Sequence, residues 1–194
     1  MTTVGAVRVL LLPGWLDSGP QHWQTRWEAL HGWQRVVQHD WLWPRRGDWM
    51  ARLDEVLLEA DTPAVLAAHS LGCHLVAAWA RHSSHTARVV GALLVAPPDL
   101  ERDDAPPQIR TWRPVVRARL PFAGELIYSD DDPFSQAEWT RDLAIEWGVP
   151  SRSLGPAGHV NADSGLGDWH DGAARVRAFV EGGGSLVTSA MARA

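Results

Sequence analysis

Cysteine is almost missing from this chain: Cys73 is the only one in 194 residues. No internal disulfide framework can form, which suits a reducing compartment, and a cytoplasmic location is the expectation. Lysine is absent altogether, so the 18 basic residues are all arginine. Against 23 acidic residues they leave a formal net charge of −5, and no basic cluster offers a footprint for nucleic acid. No run reaches the ~18 apolar residues of a membrane span, and no basic-then-apolar leader opens the chain. Neither membrane insertion nor secretion is therefore expected. Among aromatics only tryptophan is abundant, at 12. Most of these indoles are expected in the core, and several stand beside the motifs below. With 45% hydrophobic and 21% charged residues, the chain reads as one globular domain over residues 1–194, with a core from about 6 to 180. Nothing in the sequence sets an oligomeric state.

The chain is organised around Val65-Leu66-Ala67-Ala68-His69-Ser70-Leu71-Gly72-Cys73. An apolar run after Pro63 reads as a buried strand, and Cys73, Val76, Ala77 and Ala80 continue at helical spacing. A serine at such a strand-to-helix corner is a nucleophile elbow, which lifts its hydroxyl out of the sheet. The tight turn requires small neighbours, here Ala68 and Gly72. The plainer alternative is that Ser70 only caps a helix. Cys73 reads as a small buried residue beside the elbow.

Before this stretch, Val7 to Leu12 reads as a first strand ended by Pro13-Gly14. The loop from Pro13 to Pro20 occupies the place from which a hydrolase offers a second N–H to an oxyanion, here that of Trp15. Trp23, Trp27 and Leu30 predict a helix packing an aromatic face on the sheet, with His22 and Arg26 on solvated faces. Arg35 to His39 reads as a weak second strand. Trp49, Leu53, Val56, Leu57 and Ala60 form the buried stripe of the next helix. Val89 to Ala96 is the fourth strand, counting the elbow strand as third. From Pro97 to about Arg119 the chain is irregular, and it reads as a wall or partial lid over the site. Gly124 to Tyr128 and Ser151 to Leu154 are the fifth and sixth strands, and Trp139, Leu143 and Trp147 lie on a helix between them. A last helix carries Val176, Phe179 and Val180, and the tail from Gly182 is expected to fray. Strands alternate with helices throughout. That predicts an α/β domain with a mostly parallel sheet of about six strands, helices on both faces and no large cap.

Ligands of such sheets bind at the carboxyl ends of the strands. Ser70, the cluster Asp130-Asp131-Asp132 and His159 all fall there, in the order of a Ser-Asp-His triad. A serine hydroxyl is a weak nucleophile near neutral pH, so an imidazole must take its proton and a carboxylate must orient that imidazole. His159 stands a few residues past the end of a strand, whereas His170 reads as deep in a loop. A metal set of His159, Asp163 and His170 is the competing chemistry, but its spacing matches no zinc helix pattern. The residues alone do not choose among the three aspartates. Asp132 precedes Pro133, whose fixed φ suits a helix first turn, so it could equally be a cap.

The sequence resembles the small serine hydrolases of the YdeN and retinoblastoma-binding protein 9 type, a compact branch of the α/β-hydrolases. The resemblance rests on Leu12-Pro13-Gly14-Trp15, Ser18-Gly19-Pro20, His22-Trp23 and His69-Ser70-Leu71-Gly72. It continues through Leu93 to Pro98, Ser129 to Phe134, Gly158-His159-Val160-Asn161, Ser164-Gly165 and Trp169. It implies Ser70, His159 and Asp132 as the catalytic residues and the amides of Leu71 and Trp15 as the oxyanion donors. It also implies hydrolysis of carboxylic esters or small amides, without a cofactor. A small acyl compound is the expected partner, with Trp15, Trp23 and Trp112 as candidate walls of its pocket. The other reading is an idle hydrolase scaffold that serves as a binding module, since a fold does not fix a function.

Overall fold

The computed structural model describes residues 7–191, with side chains described to residue 183. Six strands form one sheet in the order β2-β1-β3-β4-β5-β6. They are β1 (Arg8–Leu12), β2 (Gln34–Arg35), β3 (Ala64–His69), β4 (Val89–Val95), β5 (Ala123–Tyr128) and β6 (Ser151–Ser153). All neighbouring pairs are parallel. The main helices are α1 (Trp23–His31), α2 (Arg46–Leu58), α3 (Leu71–His82), α4 (Ala137–Trp147) and α5 (His170–Met191).

The period of two along each strand sorts the core into two layers. Leu10, Leu12, Leu66, Ala68, Leu94 and Leu126 face α2, α3 and α4. Val9, Leu11, Val65, Ala67, Leu93 and Ile127 face α1 and α5. Every residue of β3 is buried, as a strand covered on both faces requires. The elements thus match the expected α/β layering.

Several details differ from the sequence reading: Leu30 is exposed and not on the packed face of α1, and His170 opens α5 and does not lie in a loop. The second strand is only Gln34–Arg35, because just Val36 turns into the core while Val37 faces solvent and the chain leaves the sheet edge. Helix α4 begins at Ala137, so Pro133 lies in the loop before it rather than in its first turn. Helix α5 runs on through Gly182 and Gly183, where fraying is expected, and Gly183 is buried against Val90. Residues 192–194 of the expected tail lie outside the described residues.

The chain runs from β1 out to β2 and then returns past β1 to β3 and β4. The order therefore reverses between β1 and β3, and α1 and α3 leave on opposite faces. That switch point opens a crevice at the carboxyl ends of these strands. The loop after β1 and the corner after β3 meet in it.

Candidate active site

The corner after β3 is strained. Ser70 holds φ 54 and ψ −123, a region that non-glycine residues rarely adopt and that clusters at functional sites. Two glycines make room for it. A Cβ on Gly72 would stand 2.3 Å from the Leu12 carbonyl oxygen, so only glycine lets α3 start so close to β1. A Cβ on Gly14 would stand 2.7 Å from that of Ser70, so only glycine lets the loop after β1 lie on the serine. Leu71 opens α3, and its N–H is one of the first-turn donors that no helix carbonyl reaches. Cys73 is fully buried beside the elbow, its thiol donates toward the Val95 carbonyl, and burial raises its pKa.

The structure brings Ser70, His159 and Asp132 into one hydrogen-bonded line. His159 Nε2 lies 2.9 Å from Ser70 Oγ. Its Nδ1 lies 2.9 Å and 3.1 Å from the two carboxylate oxygens of Asp132. A carboxylate only accepts, so Nδ1 carries the proton and Nε2 is left to accept from the serine. The Asp132 side chain is 4% exposed and that of His159 10%, which shields the pair from solvent. Asp132 also accepts the Phe134 N–H at 2.9 Å, so it closes its own turn and orients the imidazole together. The Phe134 ring stands edge-on to His159. The other two aspartates do different work. Asp131 accepts from Ser129 Oγ at 2.7 Å and from the Gly158 N–H at 2.8 Å, whereas Asp130 accepts from Ser153 at the exposed sheet edge.

Beneath His159 lies a second histidine line that sequence reading missed. His22 is not solvated: it is 4% exposed, and His69 is 5% exposed. His69 Nε2 lies 2.9 Å from the His159 carbonyl oxygen, so it must donate there. Neutral His69 then accepts at Nδ1 from His22 Nε2, 3.3 Å away. His22 in turn accepts at Nδ1 from the Gln24 N–H and so caps α1. Every tautomer in the line is fixed by the next partner. Burial holds both rings neutral, with the nearby Arg35 charge helping to lower His22 to about 3. The signal was available in His22 standing directly before the first turn of a helix.

The tryptophans complete this hold on the loop after β6. Trp23 Nε1 donates to the Val160 carbonyl at 2.8 Å and Trp27 Nε1 to that of Asp168 at 2.7 Å. Trp169 stacks on Trp27 and meets Trp23 edge-on. Arg26 is not free in solvent either, since it pairs with Asp168. Val160, held at φ 49, is thus gripped on its carbonyl, and so is His159 before it.

Two cavities meet at Ser70 and His159. One, of about 210 Å³, is of mixed polarity and includes Gly14, Asp17, Gly19 and His22 in its lining. The other, of about 300 Å³, is largely apolar and runs from Trp15 and Leu16 past Leu71 to Pro98, Pro106 and Ile109. A larger cleft of about 490 Å³ lies beyond His159 and does not reach Ser70. Trp15 lines both cavities at the serine, its indole donating to the Leu42 carbonyl. Trp23 and Trp112 do not line them, contrary to expectation. Trp23 is 1% exposed under the His159 loop, and Trp112 is 2% exposed, packed edge-on to Trp49 with its N–H on the Pro44 carbonyl. Pro98, Pro106, Ile109 and Phe134 supply the wall instead. Among the described residues no three His, Cys, Asp or Glu side chains converge as a metal set, so His159, Asp163 and His170 are not such a group. Nor, among those residues, is any helix long and apolar enough to cross a membrane.

The model of the serine hydrolase family matches residues 9–178. Among solved structures, one described as a YdeN-like hydrolase from Pectobacterium atrosepticum is 27% identical. It superposes with a TM-score of 0.79, covering 90% of this chain and 91% of that one. The ydeN gene product of Bacillus subtilis is 21% identical, with a TM-score of 0.63 over 82% of this chain and 90% of its own. An esterase from a Rhodococcus species is 14% identical, with a TM-score of 0.66 over 92% of each chain, which speaks to the fold alone. None of the curated proteins matches the sequence. The fold is that of the α/β-hydrolases.

Proposed function

This chain belongs to the serine hydrolase family, and from that premise we propose that it cleaves carboxylic esters or small amides through an acyl-enzyme on Ser70. The observation that carries the reading is the line from Ser70 Oγ to His159 Nε2 at 2.9 Å and from His159 Nδ1 to Asp132 at 2.9 Å. Ser70 Oγ attacks the acyl carbon while its proton passes to His159 Nε2. Asp132 holds the tautomer and stabilises the imidazolium that forms. The tetrahedral oxyanion is received by the N–H of Leu71 at the start of α3 and by that of Trp15, which Gly14 allows to lie beside the serine. His159 returns the proton to the departing alcohol or amine. Water, activated by the same imidazole, then releases the acid. No step needs a cofactor.

Labelling with a fluorophosphonate tests this, because only an activated serine reacts. Ser70 is expected to be the one modified residue, and Ser70→Ala to lose both label and ester turnover. Asp132→Asn should lower kcat by up to ~10⁴ through the wrong tautomer, with the fold kept. Labelling that persists in Ser70→Ala would end the reading, and an intact protein that neither labels nor turns over would be a binding scaffold.

A further inference from the structure

We propose that the substrate is the ester or amide of an uncharged acyl group of medium length, seated in the apolar cavity with its leaving group on the more polar side. This rests on the acyl-enzyme reading above and deepens it. The observation is the asymmetry of the two cavities that share Ser70 and His159. On the apolar side the lining offers no Asp, Glu, Lys or Arg, and its polar side chains are Ser70, His159, Asn161 and the Trp15 indole. That indole is already given to the Leu42 carbonyl. A carboxylate or ammonium on the chain would lose its water there and find no counter-charge. An alkyl chain meets Leu71, Pro98, Pro106 and Ile109 instead. Leu16 and Phe134, both also lining this cavity, are 57% and 51% exposed, so its apolar surface continues outward to the mouth.

The opposite side suits the leaving group. Asp17, Gly19 and His22 line it together with His159, and the departing alcohol or amine takes its proton from His159 there. During the second half of the reaction only the acyl chain remains, covalently held and still shielded from water on the apolar side. The size sets an upper limit on length. A space of about 300 Å³ accommodates roughly ten groups of about 30 Å³, the share of one water molecule. Ile109 comes from the short 3-10 helix Pro107–Trp112 and is itself 7% exposed, and with Pro98, Pro106 and Phe134 it divides the apolar cavity from a neighbouring one of about 170 Å³, so its side chain bounds the space on that side.

A series of p-nitrophenyl esters from acetate to dodecanoate, with the hemisuccinate as charged member, reads this directly. kcat/KM is expected to rise about fourfold per added methylene, the equivalent of about 0.8 kcal/mol, then to level or fall near eight to ten carbons. The hemisuccinate should be at least tenfold poorer than butyrate. Ile109→Trp should lower the octanoate-to-acetate ratio at least tenfold, and Ile109→Ala should move the optimum to longer chains. Fluorophosphonate labelling of Ser70 is followed in every variant. A flat or falling profile, a preference for the hemisuccinate, or a ratio unmoved in both variants overturns the substrate class if Ser70 still labels. Loss of labelling in the unaltered protein overturns the acyl-enzyme reading, and this inference with it.

Discussion

Residues 154–169, between β6 and α5, and residues 96–122, between β4 and β5, are the two long connections at the carboxyl edge of the sheet. The first carries His159 and the second walls the apolar cavity. The His159 loop is gripped atom by atom, with His69 on the carbonyl of residue 159, Trp23 on that of 160 and Trp27 on that of 168. From the other side Ser129 accepts the N–H of Ala157 and Asp131 that of Gly158. The wall is held by buried volume and by hydrogen bonds together: Leu100, Ile109, Trp112 and Leu120 are buried in the core, while His74 donates to the Pro98 carbonyl, Trp147 to that of Val116 and Trp112 to that of Pro44. Arg113, reaching the carbonyls of Leu100 and Arg102, ties the middle of the wall to its beginning. What differs is where the held atoms lie: in the His159 loop they adjoin the imidazole itself, as the proposed mechanism would require. A proton relay depends on angle and on tenths of an ångström, whereas a cavity wall needs only to exclude water.

Acid should act on both regions, and with the largest effect. The His159 loop depends on neutral His22 and His69, and the root of the wall on neutral His74, whose Nε2 donates to the Pro98 carbonyl at 2.8 Å. Burial lowers all three, with His22 at about 3 and His74 at about 4. In the unfolded chain each takes up a proton below about 6.5, while the folded rings stay neutral. Stability is therefore complete above that pH and is lost as pH falls from about 6.5 toward 4. Three such groups together contribute a slope of up to roughly 4 kcal/mol per pH unit. The arginines of the wall remain charged throughout. Urea unfolding at pH 7, 6 and 5 measures the slope, and His74→Gln should remove about a third of it. A slope under about 1 kcal/mol per unit would mean that these rings are protonated in the folded protein.

The next effect is on rate. His69→Leu deletes the donor to the His159 carbonyl, so the imidazole loses one of its fixed points. A displacement of about 1 Å costs on the order of 10² in kcat, with KM little changed, and His69→Gln, which keeps an N–H, should restore part of it. Trp112→Phe in the wall is the contrasting variant. It removes the hydrogen bond to Pro44 and should lower stability by about 1 kcal/mol, with kcat for short esters within about threefold. Equal losses of kcat in both variants would erase the distinction between the regions.

How much of this was readable beforehand depends on whether a residue acts through chain pattern or through contact. The elbow was legible because a buried strand, a serine and a small residue adjoin in sequence, and Gly72 meets the Leu12 carbonyl as a tight corner demands. The sheet was legible from alternating apolar runs, apart from β2, where pairing of two residues leaves too short a pattern. The roles of the tryptophans were not. Trp23 and Trp112 are next to motifs in sequence, but their indoles reach carbonyls 137 and 68 residues away, and no local pattern encodes that. His22 failed for the same reason: periodicity assigned it to solvent, while the fold buries it against His69, whereas Arg26 keeps a partly solvent-facing side chain and pairs with Asp168.

The smallest effect, and the finest test of the comparison, lies in the acidic run. Sequence reasoning does not tell Asp130 from Asp131. The structure separates their side chains, since the Asp131 carboxylate holds the Gly158 N–H next to His159 and that of Asp130 accepts from Ser153. Hydrogen bonds from Ser129 and then from Gly158 lower the Asp131 pKa, as donors that favour the charged form do. Yet the geometry needs only an oxygen that accepts, not a charge. Asp131→Ala should therefore lower kcat about tenfold, in the range of a loosened positioning contact, while Asp131→Asn, whose amide oxygen can still accept from Gly158, should stay within about threefold. Asp130→Ala should change kcat by less than about twofold, as is usual for an exposed turn residue. Asparagine then reads out two different roles: nearly silent at 131, where the side chain fixes a loop, and severe at 132, where it sets the proton on His159. A severe loss in Asp131→Asn would show that its charge reaches the imidazole, and would move Asp131 from the hold on the loop into the relay itself.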